Sequence, residues 1–145
     1  MAGEIKGWDK KDWGRPVKVD KTLDQVSPSE YDAVVLPGGQ INPDLLRVEP
    51  KALKFIKDIF DAKKIVAAVC HAPWLLIETD IAKGRKMTSY KSIKTDVANA
   101  GAKPGRTERS SSTRASSLRA IPVILKPSAP RSSKRSKKGG TSSAA

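Results

Sequence analysis

The sequence predicts an α/β fold in which helices pack on a mostly parallel sheet, and three observations lead to this prediction. Two short apolar runs, at residues 31–36 and 64–69, have the length of buried strands and are rich in Val and Ala. Between them, apolar residues recur at helical spacing over residues 50–62, with lysines on the opposite side. Strand and helix patterns then continue to alternate, which is typical of a parallel sheet with helices on its faces.

The predicted elements follow one another between proline and glycine residues, which interrupt strands and helices. Residues 1–18 are polar and are predicted to form a connecting loop or an edge hairpin, and the strand at residues 31–36 ends at a Pro-Gly-Gly sequence. The later elements are a loop or helical turn at residues 42–44, a helix that begins at Pro50, the strand at residues 64–69, a helix that begins at Pro73, a short strand at residues 87–90 and a helix at residues 94–99 before Gly101.

The composition changes near residue 103, and this divides the chain. Residues 1–102 carry 17 Lys or Arg and 14 Asp or Glu, whereas residues 103–145 carry 11 basic residues and a single acid. The second segment is also rich in Ser, Pro and Gly, and such a sequence buries too little apolar surface to offset the entropy lost on ordering. We therefore predict a connecting segment at residues 1–18, a partial α/β domain at residues 19–102 and a disordered basic tail at residues 103–145.

The chain has one cysteine, Cys70, and one histidine, His71. A single cysteine excludes an intramolecular disulfide and a cysteine-rich metal site, and no other pattern indicates a metal or a cofactor. No apolar run approaches the ~20 residues of a membrane span, and the N-terminus lacks the apolar segment of a signal peptide. We expect a cytoplasmic protein without a membrane segment.

Cys70 is the candidate nucleophile, because it lies where a predicted buried strand meets the helix that begins at Pro73. Functional residues collect at the carboxyl ends of strands in α/β sheets. A sharp strand-to-helix turn exposes the side chain, and the N-terminus of the following helix favours the thiolate. Gly38 and Gly39 end the neighbouring strand, where a glycine lets its N–H approach a developing oxyanion beside the N–H of His71.

A purely structural role for Cys70 is the alternative at this point. A lone cysteine after an apolar strand is most often a small buried hydrophobic residue. His71 does not by itself complete a catalytic pair, since adjacent side chains on a turn can diverge. Residue types and spacing leave both interpretations open.

The sequence around Cys70 resembles a known nucleophile elbow. Residues 67–73, Ala-Ala-Val-Cys-His-Ala-Pro, are similar to the elbow of the PfpI family. That family comprises intracellular proteases, deglycases and stress proteins of the class I glutamine-amidotransferase-like superfamily. Further segments agree with the family in order and spacing, namely residues 7–20, 31–39, 84–85 and 88–101. The resemblance implies a partial flavodoxin-like three-layer sandwich that lacks its first and last elements.

The resemblance also implies roles for individual residues. Cys70 would be the nucleophile and His71 its partner. The backbone N–H groups of Gly39 and His71 would form the oxyanion hole, with Gly38 and Tyr90 near the site. The family also uses a glutamate from an early strand and turn to tune the cysteine, and no residue here matches it. Its chemistry is attack of a thiolate on the carbonyl of a peptide, a glyoxal or a glycated side chain, and its members form homo-oligomers.

Both ends of the family's domain are expected to be missing. Family members begin with a strand, the glutamate-bearing turn, a helix and a second strand before the position of Met1. After residue 103 they continue with two apolar strands and a helix. If the codons of residues 110–127 are read one base upstream, the serine codons become codons for apolar residues. The amino-acid sequence encoded in that frame is similar to the family's final strand and the start of its last helix. We expect the tail to be an out-of-frame translation, with the slip near residues 103–106.

The sequence thus supports two kinds of function. The first is a PfpI-like cysteine hydrolase, whose activity is expected to be low because an incomplete α/β domain of about 85 residues is marginally stable. The alternative is a non-catalytic remnant whose basic tail binds acidic partners without specificity. Specific nucleic-acid recognition is not expected, since residues 103–145 contain no aromatic residue for stacking on bases.

Sequencing the gene from upstream of the Met1 codon to beyond the Ala145 codon tests the frame interpretation. We expect an upstream glutamate-bearing strand and a single-base slip near the codon of Lys103. If the frame is confirmed and no PfpI-like continuation exists in the alternative frame, the interpretation is wrong and the basic tail is a genuine feature.

Overall fold

Strands and helices alternate through the centre of the chain, as the sequence predicts. The computed structural model describes residues 3–105 and the backbone of residues 122–125. In chain order the elements are β1 (Glu4–Asp9), β2 (Asp12–Lys18), β3 (Ala33–Leu36), α1 (Ile41–Leu46), α2 (Pro50–Asp61), β4 (Ile65–Val69), α3 (Pro73–Glu78), β5 (Lys86–Met87), α4 (Lys94–Asn99), β6 (Lys103–Pro104) and β7 (Pro122–Leu125).

The central sheet has the strand order β3-β4-β7. β3 and β4 are parallel, with Val34 beside Val66 and Leu36 beside Ala68, so their carboxyl ends lie next to each other. β7 pairs with β4 in the antiparallel direction. The sheet is therefore mixed, and its parallel pair is the one that the two apolar runs of the sequence predict.

Helices cover one face of this sheet. Val66 and Ala68 on β4 are fully buried in a core that also contains Leu36 of β3 and Ile59 of α2. Residues of opposite parity face away from this core, and Val35 remains 67% exposed. The described residues thus supply two layers of the three-layer sandwich, the sheet and the helices on one side.

The helix α2 follows from local sequence signals. Pro50 occupies its first turn, and the Glu49 side chain accepts a hydrogen bond from the N–H of Lys51 at 3.2 Å, which caps the helix. Ile56 and Ile59 lie on its buried side. Two Lys–Asp pairs at spacing i,i+4 lie on its outer side. The predicted helix of residues 50–62 is confirmed to within one residue.

Residues 4–18 form an antiparallel hairpin, the second of the two forms predicted for this segment. Trp8 lies opposite Trp13, and their rings meet edge to face with centroids 5.5 Å apart. Cross-strand aromatic pairs of this kind stabilise a hairpin.

The predicted strand at residues 87–90 is wrong beyond Met87, because β5 contains only Lys86 and Met87. The N–H of Tyr90 donates a hydrogen bond to the carbonyl oxygen of Cys70 at 3.0 Å, and this draws the backbone out of the sheet. Tyr90 therefore lies beside the turn at Cys70 and is not part of a β-strand.

Two segments that composition assigned to the disordered tail are strands. Lys103 and Pro104 pair with β5, and β7 pairs with β4. β7 lies in the one apolar run of the tail, residues 121–125, whose β-branched residues favour a strand. Gly105 is also described, and the other residues of that predicted tail lie outside the described residues.

No helix within residues 3–105 and 122–125 combines the length and apolar character that a membrane crossing needs.

Matched Ile→Val substitutions test which side of the sheet holds the core. Ile59 is fully buried on α2, whereas Ile65 on β4 is 40% exposed. We expect Ile59→Val to lower the free energy of unfolding by about 0.5–1.5 kcal/mol, and Ile65→Val by less than about 0.5 kcal/mol. Urea unfolding followed by circular dichroism measures both, and equal losses would contradict the one-sided core.

Candidate active site

Cys70 lies on a strained turn between β4 and α3. Its φ is 61°, in the left-handed region that residues with a side chain rarely adopt. The turn is closed by a hydrogen bond from the N–H of Ala72 to the carbonyl oxygen of Val69 at 2.9 Å. A conformation of this kind costs on the order of 1–3 kcal/mol and persists only where the surroundings enforce it. The side chain of Cys70 is half-buried.

Gly38 packs directly against this turn. A Cβ added at Gly38 would lie 2.7 Å from the Cβ of Cys70 and 3.0 Å from the carbonyl oxygen of Val69. These distances are too short for any side chain, so the turn and the end of β3 approach each other only because residue 38 is glycine. The sequence placed Gly38 near the site, and the structure gives the physical reason for glycine there.

Gly39 has a different reason to be glycine. Its φ is 81°, while the space around a Cβ at this position is open, so backbone conformation alone favours glycine. Among residues 3–105 the N–H groups of Gly39 and His71 donate to no other group. These are the two N–H groups that the sequence predicts as an oxyanion hole.

His71 is 9% exposed and both of its ring nitrogens have polar neighbours. Nδ1 lies 3.2 Å from the Sγ of Cys70, and Nε2 lies 3.0 Å from the Oγ of Ser92. The adjacent side chains of Cys70 and His71 thus converge and do not diverge. This contact between a thiol and an imidazole is the arrangement that proton transfer between them requires.

Two aromatic rings lie against the imidazole. The ring of Tyr90 lies at 4.7 Å from that of His71 with an interplanar angle of 32°, and the ring of Trp74 lies at 5.5 Å. Trp74 is itself held, because its Nε1–H donates to Asp96 at 2.8 Å and the guanidinium of Arg47 lies 5.0 Å from its ring centre. The structure therefore brings Tyr90 to the site, and adds Trp74 as a support of His71.

Ser92 is the site residue that the sequence analysis missed. It belongs to a 3-10 turn, Lys91–Ile93, that follows Tyr90, and it meets His71 across 21 positions of the chain. A serine in a polar surface segment has no sequence pattern that distinguishes it, so only the folded chain reveals this contact.

Within residues 3–105, no Asp or Glu side chain hydrogen-bonds to Cys70 or His71. In the same part of the chain no group of three His, Cys, Asp or Glu side chains is arranged as metal ligands. The polar chemistry of the site among these residues is therefore that of a thiol, an imidazole, a hydroxyl and backbone N–H groups.

Gly38→Ala tests the packing at the turn. We expect it to lower the free energy of unfolding by about 1–3 kcal/mol, because the added methyl group overlaps Cys70 and Val69. Gly3→Ala is the matched control, since a Cβ at Gly3 meets nothing within 4 Å. Thermal unfolding monitored by circular dichroism gives both values, and a neutral Gly38→Ala would show that β3 and the turn are not in close contact.

The chain matches a known protein family and several of its members. The DJ-1/PfpI family matches over residues 4–108. The chain is 46% identical over 89 residues to "Putative cysteine protease YraA" of Bacillus subtilis, a match that covers 61% of this chain and 52% of that protein. It is 48% identical over 86 residues to "Protein/nucleic acid deglycase 2" of Escherichia coli, covering 59% of this chain and 49% of that protein.

A third relative, "Deglycase PfpI" of Pyrococcus furiosus, is 48% identical over 88 residues, which cover 61% of this chain and 52% of that protein. The chain thus spans about half the length of the curated relatives it matches.

Solved structures show the same fold. A two-domain protein of Anabaena variabilis with DJ-1/ThiJ/PfpI-like and ferritin-like domains matches with a TM-score of 0.60 and 39% identity, over 65% of this chain and 26% of that one. A ThiJ/PfpI domain protein of Brachyspira murdochii matches with a TM-score of 0.63 and 23% identity, over 72% of this chain and 57% of that one. The α/β class predicted from the sequence is confirmed, and the chain belongs to the DJ-1/PfpI family.

Proposed function

We propose that this chain carries the nucleophile elbow of a cysteine-dependent hydrolase of the deglycase or peptidase type, with Cys70 as the nucleophile. The observation that carries the proposal is the 3.2 Å contact between the Sγ of Cys70 and the Nδ1 of His71 at a strained turn. A buried structural cysteine has no need of such a partner or of such a backbone conformation.

The proposed reaction begins with a proton transfer. The thiol proton of Cys70 moves to Nδ1 of His71, so that an S–H bond breaks and an N–H bond forms. The thiolate then adds to an electrophilic carbonyl carbon, and the π electron pair of the carbonyl moves onto its oxygen. The N–H groups of Gly39 and His71 stabilise the negative charge that develops there.

With a small α-dicarbonyl compound, the addition product is a hemithioacetal, and transfer of its carbon-bound hydrogen as a proton to the neighbouring carbonyl carbon converts it to a thioester without an external oxidant, which water then hydrolyses. With a peptide amide, the adduct collapses and the bond between the carbonyl carbon and the amide nitrogen breaks. The departing nitrogen takes the proton from His71, and water then releases the acyl group from Cys70 and restores the thiol. Relatives named as deglycases support a carbonyl adduct as substrate, and the relative named as a cysteine protease supports a peptide. A small carbonyl compound or a peptide is therefore the proposed substrate class.

The contact with His71 is the main support of the thiolate in this proposal. The sequence predicts that the N-terminus of the following helix also favours the thiolate. α3 has only six residues, and a helix this short offers a weaker dipole than a long one. The imidazolium formed by proton transfer lies directly against the sulfur and stabilises its charge.

We also propose that this chain has low activity. One face of the central sheet is bare among the described residues, with Val35 67% exposed and Ile65 40% exposed. A sheet with one covered face has little core to hold a strained turn. Homo-oligomerisation and a cytoplasmic location are part of the same proposal for the whole protein.

Cys70→Ala separates the hydrolase from the alternative, a remnant whose basic tail binds acidic partners. We expect methylglyoxal and glycated-peptide turnover to fall to the uncatalysed rate in Cys70→Ala, and to be unchanged in the surface control Lys54→Ala. Turnover that survives in Cys70→Ala would refute the proposed nucleophile.

The alternative predicts another outcome in the same proteins. Binding to a polyanion such as heparin would weaken with rising salt equally in wild type and Cys70→Ala, with no carbonyl turnover in either.

A further inference from the structure

We propose that Ser92 is a positioning residue for the reaction of Cys70: its hydroxyl accepts a hydrogen bond from Nε2–H of His71, so that Nδ1 faces the thiol as a proton acceptor. This inference rests on the proposed function. It concerns the step that precedes any contact with substrate, namely how the imidazole is prepared to take the thiol proton.

The position of Ser92 is fixed by the backbone on both sides. The N–H of Tyr90 donates to the carbonyl oxygen of Cys70 at 3.0 Å, and the N–H of Ile93 donates to the carbonyl oxygen of Tyr90 at 3.1 Å. Ile93 is 2% exposed and anchors the turn in the core. Ser92 lies between these two anchors, and its Oγ is 3.0 Å from Nε2 of His71.

The two contacts of the imidazole depend on each other. A neutral imidazole has one N–H donor and one acceptor nitrogen, so the partner of one nitrogen determines the role of the other. A thiol is a weak acceptor, and in the neutral pair it therefore donates to Nδ1. Nε2 must then carry the hydrogen and needs an acceptor, which the Oγ of Ser92 provides.

The hydroxyl of Ser92 is free to act as this acceptor. Ser92 is exposed, so its own O–H can donate to water while its oxygen accepts from Nε2–H. After proton transfer both nitrogens of His71 carry hydrogen, one directed at the thiolate and the other still at Ser92. The buried imidazolium then has no unsatisfied donor, which would otherwise weaken the ion pair.

Aromatic contacts set the orientation of the His71 ring. The contact with Ser92 then determines which of its two nitrogens carries the hydrogen. The rings of Tyr90 and Trp74 pack against the ring of His71, with centroids at 4.7 and 5.5 Å. Among residues 3–105 no carboxylate hydrogen-bonds to His71. Ser92 is therefore the group in this part of the chain that can act as the third member of a nucleophile–base–orienter arrangement.

The chain allows a direct measurement, because it contains one histidine and one cysteine. In the full chain labelled with 15N-histidine, the NMR chemical shifts of the two ring nitrogens report which of them carries hydrogen. We expect Nε2 to be protonated in the wild type, whether the pair is neutral or ionised. An unprotonated Nε2 would show that Ser92 donates to the ring, and would overturn the proposal without any substitution.

Alkylation of Cys70 by iodoacetamide gives the second test. We expect Ser92→Ala to slow alkylation about three- to tenfold, the effect of one hydrogen bond, and Ser92→Thr to restore the wild-type rate. Ser89→Ala is the matched control, because the Oγ of Ser89 donates to the carbonyl oxygen of Tyr90 and not to the ring. Ser92→Ala that alkylates at the wild-type rate overturns the proposal.

These readouts are independent of turnover. A protein with protonated Nε2 and slowed Ser92→Ala alkylation that consumes no carbonyl substrate supports the role of Ser92 and refutes the proposed hydrolase. A protein that turns over substrate but alkylates equally with and without Ser92 supports the hydrolase and refutes the role of Ser92.

Discussion

The close approach of Gly38 to Cys70 is the constraint on which the rest of the site depends. The parallel register of β3 and β4 brings the two strand ends side by side. At that point the Cα of residue 38 and the Cβ of Cys70 occupy adjacent space that no side chain could share. Because this contact fixes where β3 ends, it also fixes Gly39, whose N–H lies one residue further along the chain.

The imidazole of His71 is held by the helix that directly follows it and by segments that are distant in the chain. Its position follows from α3 through Trp74, from the residues after β5 through Tyr90, and from the next turn through Ser92. Trp74 is in turn connected to α4 through Asp96 and to the end of α1 through Arg47. Contacts from α1, α3 and α4 thus restrain the imidazole of His71, directly or through Trp74. Because the ring is already held in place, it loses little conformational entropy when it accepts a proton.

Much of this organisation could be predicted from the sequence, and what could not has a physical reason. The Pro-Gly-Gly end of β3 and the start of α2 at Pro50 are local signals, and both are confirmed. The strand at residues 87–90 was overestimated because a hydrogen bond from Tyr90 to Cys70, invisible in the sequence, overrides local propensity. Ser92 was missed for the same reason. The strand β7 was not predicted either, because the average composition of residues 103–145 does not reveal one short apolar run within them.

The geometry of the turn and the stability that maintains it have different origins. The side-chain and backbone contacts described above for Cys70 and His71 come from residues 38–96, although β4 also pairs with β7. A left-handed φ at Cys70 persists only if the surrounding core contributes more free energy than the strain costs. Leu75 and Leu76 of α3 are fully buried on one side of the sheet, and they resist relaxation of the turn from that side. Val35 on the opposite face contributes little while it is exposed. Covering the sheet face that contains Val35 would therefore reduce the fraction of molecules in which the turn relaxes. The reactivity of Cys70 would rise as a result, although no contact of its side chain would change.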